Sequence, residues 1–541
     1  MEFHFANAWH ALASALGEAP ALRCEGVTVS WAAFADRALR LASVFEGAGL
    51  GPGAKVGLYL LNCNEYTEAH FGAFSLGACP INVNYRYQAD ELVYLLENSD
   101  AEAVLFHSRF AERIEEIRPR LPGVKLYLQV DDGTEAPPLA GALAYEAALA
   151  SATATPRAPR PADDVYMLYT GGTTGMPKGV MYENGAFCAA MAAGGLAIRG
   201  LEAAESVADL VAKAQALQAA GASPVSVPAC PQMHGTGMWI GTIIPLLCGG
   251  SVVTKRTAHF DPDDLFRTVD DEGVTDLTIV GDAFARPMVA ALDAAEAAGR
   301  PYALDRLALI SSSGVMWSQE VKAGLHRHKD FMLYDAMGST EGSMGSSVAT
   351  RDMPATTARF ALGENVKVFT EDDQEVTPGS DEVGLVATAG LVPLGYYKDP
   401  EKSARTFRVV GGVRYSFPGD FARVEADGTI TLLGRGSQCI NTGGEKVYTE
   451  EVEEAVKRHD AVADCLVVGL PDERLGNRVV AVYALTNPSA ELDDETLRAY
   501  VRSQLAGYKV PKAFVAVPQV QRAPNGKADY RWARATAEAA A

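Results

Sequence analysis

With 541 residues the chain has room for three or four structural units at roughly 100 to 200 residues each, and 48% hydrophobic with 21% charged residues excludes a disordered or fibrous protein. The formal charge of -21 excludes a broad nucleic-acid or anionic-membrane surface, because such partners need a basic face. A polyanionic ligand must be held locally, by a few placed cations and backbone N–H groups.

The first 130 residues alternate helical stretches with short apolar runs at 55–61 and 103–106, which predicts α/β layers with parallel strands. A Pro/Ala-rich stretch at 131–164 has turn formers and weak periodicity, and is read as a surface crossing. The apolar run 165–168 then leads into TGGTTGMPKG at 170–179. Gly171, Gly172 and Gly175 let the backbone turn sharply so that N–H groups converge, Thr170, Thr173 and Thr174 offer hydroxyls, and Lys178 adds a point charge. Together they suit a polyphosphate, although Pro177 stands where a Walker loop needs glycine.

Val207, Leu210, Val211, Ala214 and Leu217 recur at helical spacing, and Gly221 supplies a stop. The apolar run 237–253 is broken by Gly, Thr and Pro and falls short of a membrane span, so a buried strand and helix are expected. The runs 278–280 and 307–310 each enter Gly- and Ser-rich turns of the kind that expose backbone to ligands. Near residue 434 the composition shifts, and a strand, helix and strand pattern follows. There Val452, Ala455 and Val456 line one helix face and Thr449 is the expected N-cap. Eight scattered cysteines without a CxxC point to a reducing compartment, and the start MEFHFANAWHALASAL lacks a signal-peptide pattern. A cytoplasmic protein is expected.

TGGTTGMPKG resembles the phosphate loop of the adenylate-forming superfamily, which comprises acyl-CoA synthetases, aryl-CoA ligases, nonribosomal-peptide adenylation domains and firefly luciferase. Further matches follow in the family's order over about 360 residues: GSTE ending at Glu341, Gly419 with Asp420, Gly434 with Arg435, GGEK at 443–446 and PNGK ending at Lys527. The resemblance implies a large N-terminal α/β domain of several subdomains at 1–436 and a small mobile α+β C-terminal domain at 437–541, with a hinge at Ser437. It gives Thr340 the α-phosphate and Glu341 a Mg²⁺ ion, sets Met337, Gly338 and Ser339 beside the nucleotide, and makes Ser313, Gly314 and Val315 line the adenine and acyl pocket. Asp420 and Arg435 would hold the ribose, and Lys527 would stabilise charge during adenylation. Gly443 and Gly444 would admit a pantetheine arm, with Lys446 near the phosphates in that second state.

His234 resembles the residue beside the acyl channel, and Met238, Trp239 and Phe284 suggest an apolar acyl group. Gly235 falls where amino-acid-activating relatives keep an Asp for the substrate ammonium, which implies an acid without an α-amino group. Three positions depart from the family pattern: Met337 replaces an aromatic, Pro418 a threonine, and Ser437 the commoner Asp or Lys.

The implied reaction is that of an ATP-dependent acid:CoA ligase, forming acyl-AMP and pyrophosphate and then acyl-CoA and AMP, with ATP, Mg²⁺ and coenzyme A. The run 280–288 with GGEKVY most resembles actinobacterial-type synthetases of fatty acids and sterol side chains. The rivals are a stand-alone enzyme loading a separate carrier protein, a luciferase-like oxygenase, and a silent binding module, against which Lys178, Glu341 and Lys527 speak. With 14 residues after Lys527 no fused carrier domain is expected, and the terminal AEAAA lacks a peroxisomal SKL. The expected partners are the small-molecule acid, ATP and CoA, with no nucleic acid and no integral membrane association; a homodimer is left open.

Overall fold

The computed structural model describes residues 2–170, 176–354, 359–435, 438–442, 445–472, 475–523 and 526–540. The chain packs as two units: Met1–Gly342 with Val348–Ala355 and Gly390–Arg408, and Ser343–Ser347 with Thr356–Ala389 and Val409–Ala541.

In the first unit, short apolar runs become the strands of a parallel sheet, in the spatial order Cys79–Asn82, Lys55–Tyr59, Ala101–His107, Leu126–Val130 and Leu143–Ala144. Lys55–Tyr59 and Ala101–His107 are buried along nearly their whole length, which is why they read as continuous apolar runs rather than alternating ones. The stretch at 131–164 is not merely a surface crossing. It adds the edge strand Leu143–Ala144 and a helix, Tyr145–Ser151, which buries Tyr145, Ala148 and Leu149.

A second run of parallel strands comprises Pro20–Cys24, Ser251–Thr254, Val225–Pro228, Asp276–Ile279, Leu309–Ser313 and Met332–Ser339, with Val27–Ser30 antiparallel on its edge. The helix expected from the 207–217 periodicity is Val207–Ala219. Ser206 caps it by accepting from the Asp209 N–H at 3.2 Å, and Val207, Leu210, Ala214 and Leu217 are buried. The run 237–253 resolves into a π-helix, Thr236–Ile243, a single α-turn, Ile244–Leu247, and the strand Ser251–Thr254. No described helix is long and apolar enough to cross a membrane.

The second unit is antiparallel where the first is parallel. Arg359–Leu362, Ile430–Arg435, Asp420–Val424 and Gly384–Thr388 are neighbours, and Val366–Phe369 and Val413–Ser416 pair with the last. Beyond them Val462–Asp472 pairs antiparallel with Gly476–Leu485, which pairs parallel with Ala513–Ala516. The helices Thr449–Lys457, Asp494–Gln504 and Tyr530–Ala539 accompany these strands. Val452, Ala455 and Val456 are buried as expected, but Tyr448 rather than Thr449 holds the cap position. A Cβ on Gly434 would lie 3.2 Å from Glu450 Cβ, and its φ of 118° is left-handed, so glycine lets this helix approach the strand Ile430–Arg435 closely. The chain is thus a large N-terminal α/β body followed by a small α+β C-terminal domain.

Candidate active site

Ligands in open parallel sheets bind beyond the carboxyl ends of the strands, and two of the sequence motifs stand there. Leu309–Ser313 and Met332–Ser339 are adjacent and parallel, Ser313 lying opposite Ala336. One runs into Gly314 and the other into the Thr340–Glu341 turn. Gly314 has φ 93°, a left-handed conformation that disfavours any side chain. Thr236, at the start of the π-helix, donates from Oγ1 to the Ser313 carbonyl at 3.5 Å. Gly281 N–H donates to Ser312 Oγ at 2.8 Å, and a Cβ on Gly281 would meet the Met316 carbonyl oxygen at 2.4 Å. Asp282 Oδ1 accepts the Ser318 N–H at 2.8 Å, so the turn carrying Val315 is held from both sides.

Two tyrosines from a small antiparallel sheet grip the Thr340–Glu341 turn. In that sheet Val165–Thr170 pairs with Lys178–Glu183, and Lys178–Glu183 with Gly395–Tyr396. Tyr182 donates from its hydroxyl to the Thr340 carbonyl at 2.9 Å, and Tyr396 donates to Glu341 Oε1 at 2.8 Å. The Glu341 N–H donates to Ser339 Oγ at 3.2 Å, which closes the turn. Burial, and secondarily the Glu341 charge, push the Tyr182 phenol well above its ordinary range, so it stays a donor at any physiological pH. Met337, at the position of the departed aromatic, is buried.

The segments on either side of the expected phosphate loop are tied to the sheet. Thr170 lies opposite Lys178 in the strand register. Asn82 accepts from the Tyr169 N–H at 2.7 Å and donates to the Tyr169 carbonyl at 2.8 Å and the Met233 carbonyl at 2.7 Å. Gly171, Gly172, Thr173, Thr174 and Gly175 lie outside the described residues. The Lys178 ammonium forms an ion pair with Asp399 and lies over the Tyr396 ring. The hydrogen bond from Lys178 holds the Asp399 carboxyl below its ordinary range.

The residues assigned to the acyl pocket fall in two clusters. Trp239 donates from Nε1 to the Tyr166 hydroxyl at 2.8 Å and packs edge-on against Phe187 and Tyr182, with centroids 4.9 and 6.4 Å away. Met238 is fully buried in the same core. Phe284 packs against Phe260 in a separate cluster, with centroids 4.6 Å apart. His234 lies two residues before the π-helix, its carbonyl accepting the Met238 N–H at 2.9 Å. A Cβ on Gly235 would lie 3.1 Å from the Trp239 ring, so a carboxylate there would crowd the indole.

In the second unit Asp420 lies opposite Arg435 on neighbouring strands, which brings the two expected ribose ligands into register. Asp420 is buried, and Gly419 before it takes φ 99°. Lys527 is presented by a tight turn: its carbonyl accepts the Ala523 N–H at 2.8 Å, and the Gly526 N–H donates to the Ala523 carbonyl at 2.8 Å. Arg522 supports that turn, donating to both Asp464 oxygens at 2.6 Å and to the Gly526 carbonyl at 3.2 Å. Lys446 lies opposite Asn441 in a short hairpin. Ser437, Gly443 and Gly444, and the side chains of Arg435 and Lys446, lie outside the described residues.

Sequence reasoning missed Asn82, Tyr182, Tyr396, Asp399 and Arg522. The string GYYKDPEK at 395–402 was the available signal, with aromatics and charges concentrated next to a Gly and a Pro.

Comparison with known proteins agrees with this geometry. Residues 9–397 match the model of the AMP-binding enzyme family, and 451–527 match that of the AMP-binding enzyme C-terminal domain. A 3-oxocholest-4-en-26-oate CoA ligase of Rhodococcus rhodochrous is 42% identical over 528 residues, covering 96% of this chain and 93% of its own. A medium/long-chain-fatty-acid and 3-oxocholest-4-en-26-oate CoA ligase of Mycolicibacterium smegmatis is 40% identical, covering 98% and 95%. Among solved structures, an anthranilate CoA ligase in complex with anthranoyl-AMP superposes with a TM-score of 0.85 at 21% identity, over 100% of this chain and 98% of that one.

Proposed function

The chain belongs to the AMP-binding enzyme family, and from that premise we propose the reaction that its residues carry. It is an acyl-CoA synthetase, an ATP-dependent ligase of apolar carboxylic acids and coenzyme A. The observation that carries this is the whole-length likeness to CoA ligases at about 40% identity, together with the Thr340–Glu341 turn held between Tyr182 and Tyr396.

In the first step a carboxylate oxygen of the acid attacks the α-phosphorus of ATP, and pyrophosphate leaves with the bonding electron pair. Attack of anion on anion concentrates negative charge, and a donor aimed at it is worth about 3 to 4 kcal/mol. We assign that role to Lys527, with Thr340 on the α-phosphate. Mg²⁺ held here would supply positive charge to offset that of the phosphates. The Glu341 carboxylate suits it, because a hard cation takes one or two protein carboxylates plus phosphate and Tyr396 fixes one of its oxygens. In the second step the CoA thiol, losing its proton, attacks the acyl carbonyl and AMP leaves. We assign the thiol path to the Gly443–Gly444 segment after reorientation of a C-terminal domain at 437–541, with Asp420 and Arg435 on the ribose throughout.

The relatives' names point to fatty acids and sterol side-chain acids, and the crowded Gly235 position fits an acid without an α-amino group. We propose a bulky apolar acid, with Trp239 as a pocket wall. The deciding experiment offers short, medium, long, aryl and sterol-derived acids with ATP, Mg²⁺ and CoA, and follows pyrophosphate and thioester. Formation of ADP and phosphate would sink the adenylate route, and turnover of amino acids alone would sink the acid class.

A further inference from the structure

Tyr396 does more than hold Glu341. The Lys402 ammonium lies 4.9 Å from the centroid of its ring and the Lys178 ammonium 5.9 Å, while the hydroxyl donates to Glu341. Lys178, Lys402, Asp399 and Glu341 thus surround a single phenol. The two lysines differ in what balances them. Lys178 is paired with Asp399, whose other oxygen accepts the Lys402 backbone N–H at 3.0 Å at the start of the helix Pro400–Thr406. No ion pair of Lys402 within contact distance is found among the described residues, Glu341 and Asp399 acting on it only from farther off, and the residue is half-buried. Burial and then the nearby Lys178 charge hold its pKa below the ordinary lysine value. A ring face offsets only part of such a cost; an incoming anion would offset much more. The chain's charge of -21 makes every local cation count toward holding a nucleoside triphosphate.

We propose that Lys402 is a second phosphate-directed cation, set beside Lys178 and Glu341 by the Tyr396 ring and acting on the pyrophosphate half of ATP rather than on the AMP half. The assignment rests on the adenylate-forming reading above. Its direction follows from its neighbours, since Lys178 closes the phosphate loop and Glu341 is the carboxylate suited to a phosphate-bound cation.

The test uses the full-length enzyme with Lys402→Met, which keeps the stem and removes the charge, and with Lys402→Arg, which restores it. Three quantities are compared: KM for ATP in pyrophosphate release, the inorganic pyrophosphate concentration that half-saturates ATP formation from synthetic acyl-adenylate, and inhibition by AMP. Lys402→Met should raise the first two by about tenfold, the size expected for losing one charge-assisted contact. AMP inhibition and thioester formation from supplied adenylate should stay unchanged, and Lys402→Arg should recover most of the loss. Lys402→Gln serves as a second variant should Lys402→Met not fold. Unchanged pyrophosphate half-saturation overturns the proposal, as does an equal weakening of AMP. A native enzyme with no pyrophosphate-dependent reversal would instead sink the adenylate-forming reading itself.

Discussion

Lys178 and Lys527 are assigned to the same kind of charge, but the fold positions them by different means. Lys178 lies in a strand, with its side chain bound to Asp399 and laid against Tyr396. Lys527 is positioned through its backbone, on a turn whose Gly526 takes φ 72° and which hangs from the Arg522–Asp464 pair. An ammonium gripped by a carboxylate yields only to a competing anion. A lysine fixed through its main chain can change ionic partners while its Cα stays in place. The first arrangement suits a permanent wall of a phosphate site, and the second suits a residue that must arrive, act and withdraw.

The sharpest way to break this contrast is Lys527→Ala. It should slow adenylation by about 100- to 1000-fold and spare thioester formation from supplied adenylate, each half followed alone by pyrophosphate release or thioester yield. Equal damage to both halves would make Lys527 a structural residue.

Next comes the support of the turn. Asp464→Asn leaves Arg522 with a weaker partner in a largely buried place, and should cost roughly 2 kcal/mol of stability after allowing for partial exposure. Adenylation should fall more than thioester formation, since Gly526 loses a fixed neighbour. Denaturant midpoints and the two half-reactions read this directly, and unaltered adenylation would separate the turn from the pair.

Glu453 lies nearby, buried, accepting the Val467 N–H at 2.9 Å, and burial raises its pKa to about 8. The unfolded chain ionises this group near pH 4.5 and the folded chain does not. Its contribution is therefore fully present below pH 4.5 and is lost as pH rises toward 8, by at most about 1.4 kcal/mol per pH unit. Asp464, whose carboxyl is held low in the Arg522 pair, loses its contribution only on acidification below its ordinary range, so the two windows do not overlap. Glu453→Gln should flatten the decline in thermal midpoint between pH 5 and 8; an unchanged profile would mean that Glu453 titrates normally.

The smallest effect belongs to the other lysine. Asp399→Asn keeps an acceptor for the Lys402 N–H but removes the anion that competes with phosphate for Lys178, so KM for ATP should fall two- to fivefold, the scale of a half-exposed ion pair. A rise in KM would mean that Asp399 aims Lys178 rather than restraining it.

What could be read in advance was what the chain states locally. The helix Val207–Ala219 carries its own cap and periodicity, and Val452, Ala455 and Val456 mark a buried face within one turn of each other. Ser313, Gly314, Thr340 and Glu341 were singled out through the family resemblance, and the structure sets them at the ends of neighbouring parallel strands. Tyr396 was not singled out, because its partner Glu341 is 55 residues away and they meet only through the pairing of Gly395–Tyr396 with Lys178–Glu183. The Asn82 contact with Tyr169 spans 87 residues and was invisible for the same reason. The helix Tyr145–Ser151 was missed because its alanines carry little periodic signal. The π-helix was missed because apolar residues on every side leave the turn width unspecified.

Tyr182 has a reach that bears on selectivity. Its ring meets Trp239 edge-on, with centroids 6.4 Å apart, while its hydroxyl holds the Thr340 carbonyl. With Trp239 as the proposed pocket wall, an acid of the wrong girth that shifts the indole also leans on the tyrosine that steadies the Thr340–Glu341 turn, the proposed phosphate contact. Misfit is then felt where bonds are made and broken, and a poor acid is refused through slow turnover more than through loose binding.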